Sequence, residues 1–173
     1  MSENRKKENK VSVPFNKASV RLEKFSQAEL DLYCIKAIRQ YAEAVGKAKD
    51  MNAEEALKFS ELSFDKILPT RSVDTPDQYL FKIMDGDMRI GILNFKINRD
   101  KEKPYAFLWD IEIDSQHRGK GYGELSMLAL EEKAKELGLT SIWLNVFGYN
   151  APAINLYKKL GYKESAITMI KQL

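Results

Sequence analysis

Gln116-His117-Arg118-Gly119-Lys120-Gly121-Tyr122-Gly123 is the stretch whose residue types point most directly to chemistry. It stands just ahead of a segment whose apolar residues recur at helical spacing. Amides at a helix N-terminus have no intrahelical acceptor, and the helix dipole adds partial positive charge there, so a turn of this kind suits an anion such as a phosphate. Its glycines let the backbone come close. The same residues also suit a plain connecting turn, and the pattern [QR]-x-x-G-x-[GA], met by Arg118, Gly121 and Gly123, is short enough to arise by chance. Other glycine motifs are not met: there is no G-x-x-x-x-G-K-[ST], and G-x-G-x-x-G fails because Glu124 follows Gly123.

Upstream of the turn, strand alternation puts Asp110, Glu112 and Asp114 on one face, opposite Trp109, Ile111 and Ile113. A central strand covered on both sides does not ordinarily carry three carboxylates on one face. A wet strand end accounts for Asp114 easily and for Glu112 less well. His117, inside the turn, reads as a solvated histidine. Cys34, among apolar neighbours on a helix, reads as a small buried residue and not as a nucleophile. One cysteine and one histidine allow neither a disulfide nor a Cys/His metal cluster, so no metal is expected.

These residues need elements to position them. Residues 19–25 read as a short first strand, and Ser26-Gln27-Ala28-Glu29 as a capping box opening a helix that breaks near residues 46–52. A second helix passes through Ala56, Phe59, Leu62 and Phe64 and ends by Pro69. Residues 79–84 and 88–98 then read as strands about Asp85-Gly86-Asp87, a hairpin signal, and residues 106–114 as a third strand of an antiparallel meander. Met127, Leu130, Ala134 and Leu137 mark a helix stopped by Gly138. Residues 141–147 read as a strand, residues 150–160 as a capped helix and residues 166–170 as a last strand.

Three of these segments together resemble the GNAT superfamily of N-acetyltransferases over about residues 78–165. Trp109-Asp110-Ile111-Glu112-Ile113-Asp114 with the glycine turn is similar to that family's fourth strand and pyrophosphate loop. Ser141-Ile142-Trp143-Leu144-Asn145-Val146-Phe147 is similar to its fifth strand, and the run from Asn150 to Tyr162 to its Tyr-bearing helix. The resemblance implies a single α/β domain: a twisted mixed, largely antiparallel sheet, helices on both faces, and splayed fourth and fifth strands with acetyl-CoA between them. It implies that the backbone of Ile111 and Ile113 meets the pantetheine, that residues 118–123 (Arg118, Gly119, Lys120, Gly121, Tyr122, Gly123) hold the pyrophosphate, and that Asn150 bonds the pantetheine or holds the loop near it. As an N-cap before Pro152, Asn150 also has a purely structural reading. Tyr157, by helical spacing alone an aromatic core residue, matches the tyrosine that protonates the departing thiolate. Glu112 is the expected general base, because an alkyl amine with a pKa of about 10.4 must lose a proton before it attacks.

The whole chain sets the remaining bounds. Its 173 residues suit one domain, residues 19–173, behind a basic tail over residues 1–18 that reads as flexible. The net charge of +3 is mostly in that tail, which argues against a nucleic-acid binder, and no apolar run suits a membrane span or signal peptide. A reducing cytoplasm fits one lone cysteine. The expected acceptor is a small-molecule or peptide amine, and the acidic residues of segment 26–69 would suit a cationic one. A non-catalytic acyl-CoA sensor is the competing reading. Monomer and homodimer are both open.

Overall fold

The computed structural model describes residues 20–99 and 102–171, so the expected tail over residues 1–18 lies outside the described residues. Strand β1 (Arg21–Lys24) leads into helix α1 (Gln27–Lys49) and helix α2 (Ala53–Ile67). Strands β2 (Gln78–Asp85), β3 (Met88–Asn98) and β4 (Tyr105–Ile113) follow, then helix α3 (Tyr122–Glu136), strand β5 (Ile142–Leu144) and helix α4 (Ala151–Lys159). The strands lie in the order β1-β2-β3-β4-β5, antiparallel except for the parallel β4–β5 pair.

Local chemistry accounts for most of these boundaries. The Ser26 capping box is present: Ser26 accepts from the Glu29 amide, and Glu29 accepts from the Ser26 amide at 2.8 Å. Asn52 and Glu55 form a second box at the start of α2, which the sequence reading did not pick out. The break expected over residues 46–52 falls at its end: α1 runs on to Lys49 and stops at Asp50 in the left-handed region, and Asn52 caps α2. Gly46 stays helical where α2 comes close, an added Cβ lying 3.3 Å from that of Ala56. The β2–β3 hairpin turns on Gly86 and Asp87, with Gly86 at φ 57° and Asp85 paired to Met88.

Alternation sorts the sheet's side chains between two cores. Phe81, Ile83, Leu93, Phe95, Ala106 and Leu108 pack with Met127, Leu130 and Ala134 of α3. Leu156, Tyr157 and Leu160 of α4 join that side. On the other face Leu80 and Ile92 meet Leu30, Tyr33, Cys34 and Ile38 of α1 and Phe64 of α2. Each fully buried side chain of this size contributes about 1.5–3 kcal/mol, so helices are held on both faces by the sheet.

A register shift decides what β4 presents. Asn94 pairs with Asp110 but Phe95 pairs with Leu108, so Trp109 is the extra residue of a β-bulge. Alternation restarts there: Ala106 and Leu108 before the bulge, and Ile111 and Ile113 after it, all face the α3 core. Two expectations fail. Strand β5 covers only Ile142–Leu144, not residues 141–147, because its pairing stops where β4 bulges away. Residues 166–170 form no strand: Ile167 and Met169 are 72% and 90% exposed, and alternation alone supplies no hydrogen-bonded neighbour.

Candidate active site

Parallel pairing of β4 and β5 ends at Leu108 with Leu144, and past that point the bulge carries β4 away from the chain that continues β5. The gap is a cleft of about 140 Å³, lined from β4 by Trp109, Asp110 and Ile111, from the chain after β5 by Asn145, Val146 and Phe147, and from α4 by Asn150 and Tyr157.

Asp110 is the carboxylate in this cleft, and burial pushes its pKa up to about 6. It is approached by a chain of donors that all point toward it. Gln78 donates to Asn94, Asn94 Nδ2 donates to the Tyr33 hydroxyl at 3.1 Å, and that hydroxyl donates to Asp110 Oδ2 at 3.0 Å. Burial, then the Asp110 charge, raises the Tyr33 pKa well above the usual phenol value, so Tyr33 stays a donor. The sequence reading missed this network. Its one signal was polar Gln78 and Asn94 within strands otherwise rich in buried apolar residues.

Glu112 shares that face of β4 but does not line the cleft. Its carboxylate lies 2.8 Å from Lys36 Nζ and 3.6 Å from Arg118 Nη2. Tyr157 does line it, half-buried, with its pKa raised by burial and then by the Asp110 charge. Asn150 caps α4, accepting from the Ala153 amide at 3.3 Å, and also lines the cleft. The cap reading of that residue therefore holds.

The glycine turn ends at the α3 N-terminus as the sequence suggested. Gly119 and Gly121 have φ of 74° and 84°, and a Cβ at either would meet nothing within 4 Å, so the backbone there is open to approach. Gly123 differs: an added Cβ would lie 3.2 Å from Leu156 Cδ2, so it serves the α3–α4 contact. Arg118 is drawn back onto β4, its Nε donating to the Ile113 carbonyl at 2.8 Å. Tyr122 donates to Asp85, which anchors the turn to the β2–β3 hairpin. His117 is buried, 7% exposed, with Tyr122 edge-on at 6.3 Å, which corrects the solvated reading. Cys34 is buried and its thiol is raised by that burial, so it is no ready nucleophile. Among the described residues no group of side chains suits a metal ion, and no helix is long and apolar enough to cross a membrane.

Sheet, cleft and helix-capped glycine turn together define an acetyltransferase fold. Residues 40–162 match the sequence profile of the Acetyltransferase (GNAT) family, and the chain belongs to that family. It is 31% identical over 147 residues to the N-acetyltransferase YycN of Bacillus subtilis, itself uncharacterised, covering 84% of this chain and 93% of that one. A second B. subtilis N-acetyltransferase, YdgE, also uncharacterised, is 29% identical over 153 residues, covering 88% and 97%. The crystal structure of B. subtilis YycN superimposes with a TM-score of 0.85 at 28% identity, covering 90% of this chain and 99% of the other.

Proposed function

We propose that this protein is an N-acetyltransferase that moves the acetyl group of acetyl-CoA to a primary amine by direct attack in a ternary complex, in the cytoplasm. The observation that carries the reading is that a carboxylate and a phenol, Asp110 and Tyr157, line one cleft at the point where β4 and β5 part. When bound, acetyl-CoA supplies an activated thioester. The unobstructed backbone at Gly119 and Gly121 just ahead of α3, with the Lys120 charge between them, suits its pyrophosphate. Arg118, Tyr122 and Gly123 hold the turn in place. On β4, Ile111 lines the cleft and is suited to meet the pantetheine, while the Ile113 carbonyl already has Arg118 as a donor.

As the N–C bond forms, the amine nitrogen gives its proton to Asp110; as the C–S bond breaks, Tyr157 gives its proton to sulfur. Tyr157 regains a proton from solvent. Glu112, the carboxylate expected from the sequence, is the alternative acceptor, but its two cations and its place outside the cleft favour Asp110. Direct attack is supported by the place of the two reactive side chains of the lining, Asp110 and Tyr157, which suit proton transfer at the amine and at the sulfur.

Tyr157→Phe is expected to lower turnover about tenfold to a hundredfold, toward the weak end of general acid catalysis, because a thiolate of pKa about 8.5 leaves fairly readily unaided. The measurement is coenzyme A release across an amine panel beside calorimetric acetyl-CoA binding, which should stay within twofold of wild type. Wild-type turnover would overturn the acid role, and tight binding without release for any amine would make the protein a sensor. Gly121→Ala should raise the Kd for acetyl-CoA about tenfold or more. Gly138→Ala, with a similar φ of 71° at the other end of α3, carries the same backbone cost of about 1–2 kcal/mol and should leave Kd unchanged.

A further inference from the structure

The β4–β5 face opposite Ala106 and Leu108 is aromatic. Phe107 and Trp143 are register partners, Tyr105 lies 5.3 Å from Trp143, and Phe107 lies 4.6 Å from Trp109, ring centre to ring centre. Trp109 and Trp143 are 43% and 45% exposed, although tryptophan is on average a well-buried residue. The patch is continuous with the cleft, because Trp109 lines both. Across the gap Phe147 also lines the cleft, stacked on Tyr149 at 5.4 Å.

Charge narrows what such a surface accepts. Asp110 is the one acidic side chain lining the cleft among the described residues. None of the acids in segment 26–69 that suggested a cationic acceptor lines the cleft, and three are engaged elsewhere, Glu29 with Lys82, Asp65 with Arg71 and Glu55 as part of the α2 cap. A cation, Lys47, stands 4.6 Å over the Tyr149 ring beside the cleft. A polyamine or aminosugar would therefore bring its further positive charges to a cleft with one acid in its lining, a lysine nearby, and Glu112 on the same face of β4 already paired with Lys36 and Arg118. An aromatic body would instead find rings to pack on.

We infer that the acceptor is an arylalkyl amine, a single primary amine on a flat apolar body, with its amine at Asp110 and its rings on the Trp109–Trp143 face. This rests on the acetyl-transfer reading.

The test compares phenethylamine and tryptamine with spermidine and an aminoglycoside by coenzyme A release, in wild type, Trp143→Ala and Trp143→Phe. The arylalkyl amines should have kcat/KM at least about tenfold higher, and Trp143→Ala should raise their KM about tenfold, as loss of a central aromatic anchor does. Trp143→Phe should recover most of that, with the KM for acetyl-CoA moving less than twofold. The protein's two tryptophans both lie on this face, so fluorescence excited where only tryptophan absorbs reports on it alone. Phenethylamine, which contributes no indole signal, should protect wild type from acrylamide quenching even if Trp143→Ala does not fold. Preference for spermidine or the aminoglycoside, with no quenching protection, overturns this inference and leaves acetyl transfer standing. A shift to monomer on Trp143→Ala with an unchanged acceptor KM assigns the face to a second copy and overturns it too. No release with any amine overturns the transfer reading and this inference together.

Discussion

Asp110→Asn is expected to reduce kcat/KM about a hundredfold to ten-thousandfold at pH 7.5 and to make the protein more stable. The first effect is the ordinary size of general base catalysis. Asparagine keeps an oxygen for the Tyr33 hydroxyl, so the Gln78–Asn94–Tyr33 chain stays in place and only the basicity goes. The second effect follows from linkage. Burial holds Asp110 at about 6 in the folded protein, above the roughly 3.9 of an unfolded aspartate. The folded state therefore binds the proton more tightly, and the stability this carries is present below about pH 4 and lost as pH rises through 6. At pH 7.5 the ionised, partly buried carboxylate costs on the order of 2 kcal/mol, which asparagine removes. For a chain of this size that is a Tm increase of several degrees, shrinking as the comparison moves to pH 5 and below. In wild type, kcat/KM should fall with pH below about 6 as the base is protonated. Should Glu112 be the base instead, Asp110→Asn would keep most activity and Glu112→Gln would lose it; assays of both variants beside calorimetric melts at two pH values decide between them.

That contrast shows where the sequence was legible. The Ser26 cap, the β2–β3 hairpin, the α3 stripe and the Asn150 cap depend on residues near one another in the chain, and each stands close to where its spacing put it. Glu112 and Asp110 could not be separated in that way. Alternation puts them on one face, and what parts them lies elsewhere: Lys36 on α1, Arg118 in the turn, and Tyr33 with Asn94 seventy-seven and sixteen positions from Asp110. The Trp109 bulge is a property of the β3–β4 register, so nothing in β4 alone announces it. His117 is buried because Tyr122, held by Asp85, stands against it. Residues 166–170 have strand chemistry, yet a strand needs a hydrogen-bonded neighbour, and one segment's alternation does not provide it.

Gly91→Ala is expected to be the most damaging single methyl group in the molecule. Gly91 is buried in β3, paired with Ile83 on one side and Ile113 on the other, and its φ is one any residue adopts, so backbone strain is not the reason. Space is the reason: a Cβ would run into the Glu112 carbonyl oxygen, with the Glu112 carbonyl carbon and Ile113 Cα each at 3.2 Å. Those neighbours are main chain of β4 and cannot rotate away as a side chain could, so the two strands must part or the sheet must reregister. Overpacking usually costs about 1–3 kcal/mol, and a backbone collision should reach or exceed about 3 kcal/mol. The segment displaced, Glu112–Ile113, joins the cleft to the glycine turn through Arg118, so whatever protein folds should also bind acetyl-CoA more weakly. Gly86→Ala is the matched control. Its Cβ meets nothing within 4 Å, and its φ of 57° limits the loss to about 1–2 kcal/mol with acetyl-CoA binding intact. Chemical denaturation of both variants measures the difference. A Gly91→Ala protein as stable as Gly86→Ala would mean that β4 yields at Glu112, and the rigid placement of Asp110 two residues earlier on the strand would be wrong with it.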